Sequence, residues 1–185
     1  MEKKGGYIVY NIFFLNIYIV YDIIMAIIEF ILDENNEQQV LNVLNSLNED
    51  AKGDKEIGDL YGLIIRGFKF LQKHGIPAGT KELMAKLAEE DETPYSIRLI
   101  KELRHHPPLY EFRINWRGAG AFRAILFEHP LDGDQLLVFT RAIIKQTTTS
   151  RDFEKIINES EQLLQEFNKN PEKYLKGVDQ IDRQE

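Results

Sequence analysis

Between residues 109 and 145 the chain carries a set of basic side chains whose spacing could hold a phosphate. Glu111, Arg113 and Asn115 alternate with Tyr110, Phe112, Ile114 and Trp116, so a strand here would present polar groups on one face and aromatic or aliphatic groups on the other. Arg123 follows in a second alternating run, with Phe122, Ala124 and Leu126 able to join the apolar face. A turn centred on Gly118 sets Arg113 directly opposite Arg123. Like charges in that relation repel by several tenths of a kcal/mol, whereas two adjacent guanidiniums form a fork that matches a phosphate. The competing reading is that Glu111 bridges the arginines and the pair is structural. A second turn centred near Asp132 would set Arg141 opposite Arg123, with Lys145 four residues on and therefore on the same side.

Histidines supply the other candidate chemistry. His105 and His106 precede Pro107-Pro108 in a loop, and His129 sits beside the next turn. Imidazole titrates near neutrality and can deliver a proton to a leaving oxygen; the alternative is that all three are ordinary loop histidines. None of the four histidines, His74 included, pairs with a second histidine or a carboxylate at helical metal-ligand spacing, and the chain has 0 cysteines. We therefore expect no metal and no disulfide, and a reducing compartment suits the composition.

Charge is unevenly spread. The net charge of −7 argues against general nucleic-acid binding, but residues 95–150 hold 8 basic and 5 acidic residues. That central segment is the only net basic part of the chain, so it locates a candidate site.

The elements that must position these groups are legible from periodicity. Met25 begins a run, Met-Ala-Ile-Ile-Glu-Phe-Ile-Leu-Asp, that suits a first strand. Val40, Leu41, Leu44 and Leu47 share a helix face after start signals at Asp33–Asn36. Ile57, Leu60, Tyr61, Ile64, Phe68 and Leu71 define a second helix, stopped at Gly75-Ile76-Pro77. A short third helix is expected from Thr80 to about Glu90. Strands are expected over 96–103, 109–116, 121–127 and 135–145, with turns at Gly118-Ala119-Gly120 and Asp132-Gly133. Ser150 can cap a final helix whose inward face is Phe153, Ile156, Ile157, Leu163, Leu164 and Phe167. The fold class that follows is α+β: a twisted antiparallel sheet of three to five strands, N-terminal helices on one face, and a C-terminal helix.

Three segments result: a hydrophobic N-terminal extension over 1–24, a domain over 25–168, and a loose polar tail over 169–185. The extension admits three readings. It can be an upstream read-through of A/T-rich codons before a start at Met25, real soluble structure, or a membrane segment. Asn11, Asn16, Asp22 and Glu29 interrupt the apolar run and weigh against the last.

At Leu109-Tyr110-Glu111-Phe112-Arg113, Phe122-Arg123-Ala124-Ile125-Leu126 and Arg141-Ala142-Ile143-Ile144-Lys145, the sequence resembles the phage-derived branch of the RelE/ParE/HigB toxin superfamily of type II toxin–antitoxin systems. The resemblance covers roughly residues 25–167 and rests on the order and spacing of the pieces. It implies helices packed on a twisted sheet whose open face binds RNA. It also implies a cytoplasmic, ribosome-associated endoribonuclease that cuts messenger RNA by attack of a 2′-hydroxyl on the adjacent phosphate, without metal or cofactor. Arg113, Arg123 and Lys145 would then be catalytic, and Arg141, Glu111 and His106 substrate-binding. Glu111 would orient its arginine. Implied partners are a small helix-turn-helix antitoxin, the ribosome and messenger RNA, with no stable membrane association. Gyrase inhibition of the ParE kind, or an inactive phage-borne binding protein of the same fold, are the alternatives. The chain departs from the family pattern at Ile143, where an aromatic is usual, and at Gln146, where a second lysine is usual.

Overall fold

The computed structural model describes residues 26–76, 84–86, 96–116, 120–131, 134–145 and 151–175. Strand β1 (Ala26–Phe30) leads into helix α1 (Gln39–Asp50) and helix α2 (Lys55–His74). Short strands β2 (Met84–Lys86), β3 (Ser96–Arg98) and β4 (Ile100–Glu102) follow. Then come the long strands β5 (Tyr110–Trp116), β6 (Gly120–Leu131) and β7 (Asp134–Lys145), helix α3 (Arg151–Lys169) and a 3₁₀ turn at Pro171–Lys173. This is an α+β fold with a C-terminal helix, as the periodicity predicts.

The helix boundaries follow from local chemistry. Asp54 caps α2, its carboxylate accepting from the backbone N–H groups of Glu56 at 2.8 Å and Ile57 at 3.2 Å. Gly75 ends the helix at φ 62°, a conformation that glycine adopts without a Cβ penalty. The loop before α1 is different. Asp33 Oδ1 accepts from Asn35 N at 2.8 Å and Glu37 N at 3.0 Å, folding a turn in which Asn36 has φ 60°. The signals at Asp33–Asn36 therefore build a turn, and the helix starts after it at Gln39.

The main sheet has five strands in the order β1-β7-β6-β5-β4. It is mixed rather than wholly antiparallel, because β1 runs parallel to β7 with Phe30 beside Phe139. Helices cover both faces. On one face α1 and α2 bury Val40, Leu44, Leu60, Ile64, Phe68 and Leu71 against Phe112, Ile114, Phe122, Ala124 and Phe139. Phe68 stacks on Phe112 at 4.9 Å between centroids and meets Phe139 edge-on at 5.2 Å. Gly67 lets α2 approach this closely: a Cβ there would lie 2.8 Å from the Phe112 ring. On the other face α3 buries Ile156, Ile157, Leu163 and Phe167 against Ile125, Phe127, Leu136 and Val138.

Three expectations need correction. Met84–Lys86, expected inside a third helix starting at Thr80, is a strand paired antiparallel with Ser96–Arg98; ladder bonding outweighs the high helix propensity of Met, Ala and Lys here. The rest of that expected helix, including Thr80 and Glu90, lies outside the described residues. The single strand expected over 96–103 divides at Leu99, a buried residue whose carbonyl accepts from Arg113 N at 2.8 Å. Its first part pairs with β2 and its second with β5. Finally, the tail is packed as far as it is described: Tyr174 is buried beside Phe167, and its hydroxyl donates to Glu166 at 3.0 Å. The core thus continues past residue 168. The extension over 1–24, the turns at 117–119 and 132–133, Ser150 and the tail beyond Leu175 lie outside the described residues.

Candidate functional site

Arg113 and Arg123 are direct cross-strand partners, in the register that a turn centred on Gly118 demands. The register of the next strand differs from expectation. Arg123 faces Ile143, and Arg141 faces Ile125. The connection at Asp132-Gly133 is one that would set 141 opposite 124, on the apolar face, if pairing were regular. An irregularity between Ile125 and Leu126 intervenes: Leu126 pairs with Phe139 and Ile125 with Arg141, leaving Thr140 as the extra residue. The bulge reverses the alternation of everything after it. Arg141, Ile143 and Lys145 consequently share a face with Arg113 and Arg123, with Lys145 opposite Ala121.

The bulge is held chemically. Thr140 Oγ1 donates to Ser160 Oγ on α3 at 2.7 Å and lies 3.0 Å from the Ile125 carbonyl, while Ser160 donates to the Ile156 carbonyl. Both hydroxyls are buried and satisfied.

Arg123 is braced from several sides. Its Nε donates to Glu111 Oε1 at 2.7 Å, with side-chain exposures of only 14% and 6%. Its terminal nitrogens donate to Asn115 Oδ1 at 2.6 Å and to the carbonyls of Phe122 and Ile114 at 2.9 and 3.2 Å. Burial is the main cause that lowers its pKa from the ordinary arginine value; Glu111 opposes the shift and the positive charge of Arg113 adds to it. The arginines face each other in register, and Glu111 is the counter-ion bound to Arg123. Glu111 also sits 3.9 Å from Lys101 Nζ, its cross-strand partner on β4. Lys101 joins the cationic strip and was not singled out from the sequence. The signal for it was available: a hairpin turn centred on His106 sets 101 opposite 111.

The remaining expected site residues go elsewhere. Arg141 is drawn into an ion network, with Nε 2.8 Å from Glu159 and its Nη2 3.4 Å from Glu34 and 3.5 Å from Asp33. At 5% side-chain exposure it ties β7 to the β1–α1 loop and to α3, and does not stand beside Arg123. His106 Nδ1 lies 2.8 Å from Glu161 Oε1, joining the β4–β5 loop to α3. His105 is exposed, and His129 packs edge-on against Phe167 at 5.0 Å between centroids. Lys145 Nζ lies over the Phe153 ring, 5.3 Å from its centroid. The face expected to be open is therefore partly covered: α3 lies over β6 and β7, with Phe153 and Ile143 packed at its margin. Lys101, Arg113 and Arg123 form the cationic strip on β4, β5 and β6.

Chemically, the strip offers a braced guanidinium at Arg123, a second at Arg113 and the ammonium of Lys101 on adjacent strands, an arrangement suited to an anion such as a phosphodiester. Among the described residues, no group of three or more histidines or carboxylates is arranged to hold a metal, and no helix is long and apolar enough to cross a membrane. Comparison with family models, with curated proteins and with solved structures returns no match.

Proposed function

We propose that the chain is a toxin of a type II toxin–antitoxin system that acts on messenger RNA as a ribosome-associated endoribonuclease, restrained by a small helix-turn-helix antitoxin in the cytoplasm. The observation that carries this reading is the Arg113–Arg123 pair, in register on adjacent strands, with Arg123 braced by Glu111 and Asn115. The ordered strand motifs that resemble the RelE/HigB branch support it, as does the basic character of residues 95–150. In this reading the arginines hold the scissile phosphate and stabilise the charge that develops on its oxygens as the 2′-hydroxyl attacks. Bracing matters because donors already oriented need not reorganise during the reaction. Glu111 is a positioning residue: it is buried and bound to Arg123 and so keeps the guanidinium in place. Lys145, released from Phe153, is the candidate to stabilise charge or protonate the leaving 5′ oxygen.

One observation favours a second reading, binding without cleavage. Arg123 already makes four contacts within the protein, and Arg141 is committed to carboxylates. A ParE-like gyrase inhibitor or an inactive relative would need no more than this.

The test is inducible expression from Met25 in a bacterial host, with mapping of RNA 5′ ends after induction. New ends inside translated reading frames, lost in Arg113→Ala and in Arg123→Lys proteins that remain folded, are the expected result. Arrest without new ends would move the assignment to a protein target such as gyrase. Unchanged cleavage by both folded variants would overturn the site.

A further inference from the structure

The edge of the main sheet changes character halfway along β7. Pairing with β1 ends where Phe30 meets Phe139. The chain then leaves through the Asp33 turn and returns as α1, whose first residue lies against the exposed part of the strand. There the side chain of Gln39 acts in place of a neighbouring strand: its Nε2 donates to the Ala142 carbonyl at 2.8 Å and its Oε1 accepts from Ala142 N at 2.7 Å. A primary amide offers the same donor and acceptor as a peptide unit, so one position of the missing ladder is filled. In a strand, the backbone groups of alternate residues point to the same edge. The N–H and C=O of Ile144 are therefore directed the same way as those of Ala142, and no strand among the described residues lies beside them.

Ile144 also lines an open cleft of about 530 Å³ between the length of α1, the end of β7 and the start of α3. Its volume is in the range of small ligand sites. Val43 and Leu47 form an apolar wall; Asp50 and Asp152 are exposed acids, one on each helix. Asp50 closes α1, where the negative end of the helix dipole reinforces its charge. Lys145 is the cation of the lining, and its ammonium is turned toward the Phe153 ring.

An edge with no described strand beside Ile144, flanked by an apolar wall and by one exposed carboxylate on each helix, has the features that recognise an extended peptide by strand addition. We propose that this cleft binds an extended, lysine- or arginine-bearing segment of another protein. The segment pairs with Ile144, places an apolar side chain against Val43 and Leu47, and directs its cation between Asp50 and Asp152. The acids disfavour a nucleic-acid phosphate at the same place. The cleft shares Lys145 with the catalytic set proposed above but none of Lys101, Arg113 and Arg123, and this proposal stands whether or not that strip cuts RNA.

The experiment uses the full chain, isotopically labelled, and the peptide acetyl-Thr-Val-Lys-Val-Thr-amide. Its controls are the same peptide with Glu in place of Lys and the same peptide methylated on alternate backbone nitrogens. The lysine peptide is expected to shift the amide signals of Ile144 and Leu47 and slow hydrogen exchange at Ile144. The Glu peptide should bind at least about tenfold more weakly, since one reversed charge contact near the surface is of that order. Methylation should abolish the effect, and Asp50→Lys, at an exposed position that leaves the core intact, should remove or reverse the charge preference. Equal binding of the two charged peptides, shifts that bypass Ile144, or an Ile144 amide already protected in the free protein would each overturn the proposal.

Discussion

Replacing Arg141 with methionine removes the one cation that three carboxylates share. The partners differ in how well they can recover. Glu34 is 64% exposed and Glu159 32%, so water can resolvate both, but Asp33 is 7% exposed. Asp33 Oδ1 keeps its two backbone donors, while Oδ2 loses its cation. Removing one member of a buried ion pair commonly costs about 3–5 kcal/mol. The two solvated partners place this case at the lower end, about 3 kcal/mol. For a chain of this length each kcal/mol lowers Tm by about 2–4 °C, so a fall of about 6–12 °C is expected. Urea unfolding followed by circular dichroism measures the free energy directly, provided the denaturant slope is unchanged. Combining Arg141→Met with Asp33→Asn should recover part of the loss, because the amide keeps the Oδ1 acceptor for the two backbone donors while the orphaned buried charge is gone. A single-variant loss below about 1 kcal/mol with an unchanged slope would refute the anchoring role. If that stable variant also lost the RNA cleavage proposed above, Arg141 would belong with the substrate-binding groups.

Other perturbations follow from the same packing. Gly67→Ala forces a methyl against the Phe112 ring in the centre of the aromatic cluster and should destabilise by about 1–3 kcal/mol despite its helix propensity; chemical denaturation would show it, and a stabilised protein would mean the ring gives way freely. Gln39→Ala leaves the Ala142 N–H and C=O without their partner; a loss of about 1–3 kcal/mol is expected, together with faster hydrogen exchange at Ala142. Glu29 is held above the ordinary carboxylate pKa by burial. Its folded form binds its proton more tightly than the unfolded chain does, so its contribution is favourable below the unfolded value and is lost as pH rises through the folded one. Glu29→Gln should therefore raise Tm at neutral pH and have no such effect in acid; equal shifts at pH 3 and pH 7 would contradict burial as the cause.

How much of this was legible in the sequence depends on how far each determinant reaches along the chain. The stop of α2 at Gly75 was legible because capping is a matter of a few neighbouring residues, and Asp54 at its start carries the same local kind of signal although it was not singled out. The facing of Arg113 and Arg123 was also readable, since a short hairpin leaves little freedom in register once the turn is centred. The amphipathic face of α3 was readable from Phe153 to Phe167, although Ser160 in its midst was not recognised as the hydroxyl that anchors a bulge.

The tertiary structure decided the rest. The parallel pairing of β1 with β7 joins residues more than a hundred positions apart, and no local spacing specifies it. The bulge at Thr140 depends on α3 offering Ser160, and it alone returns Arg141 and Lys145 to the arginine face. The fate of the charges was equally hidden. Alternation tells which face a side chain takes, but Arg141 meets Asp33, Glu34 and Glu159, and His106 meets Glu161, only because distant segments converge there. Periodicity is a short-range property of the backbone, whereas counter-ions, coverage of a sheet face and free edges are set by where remote elements pack.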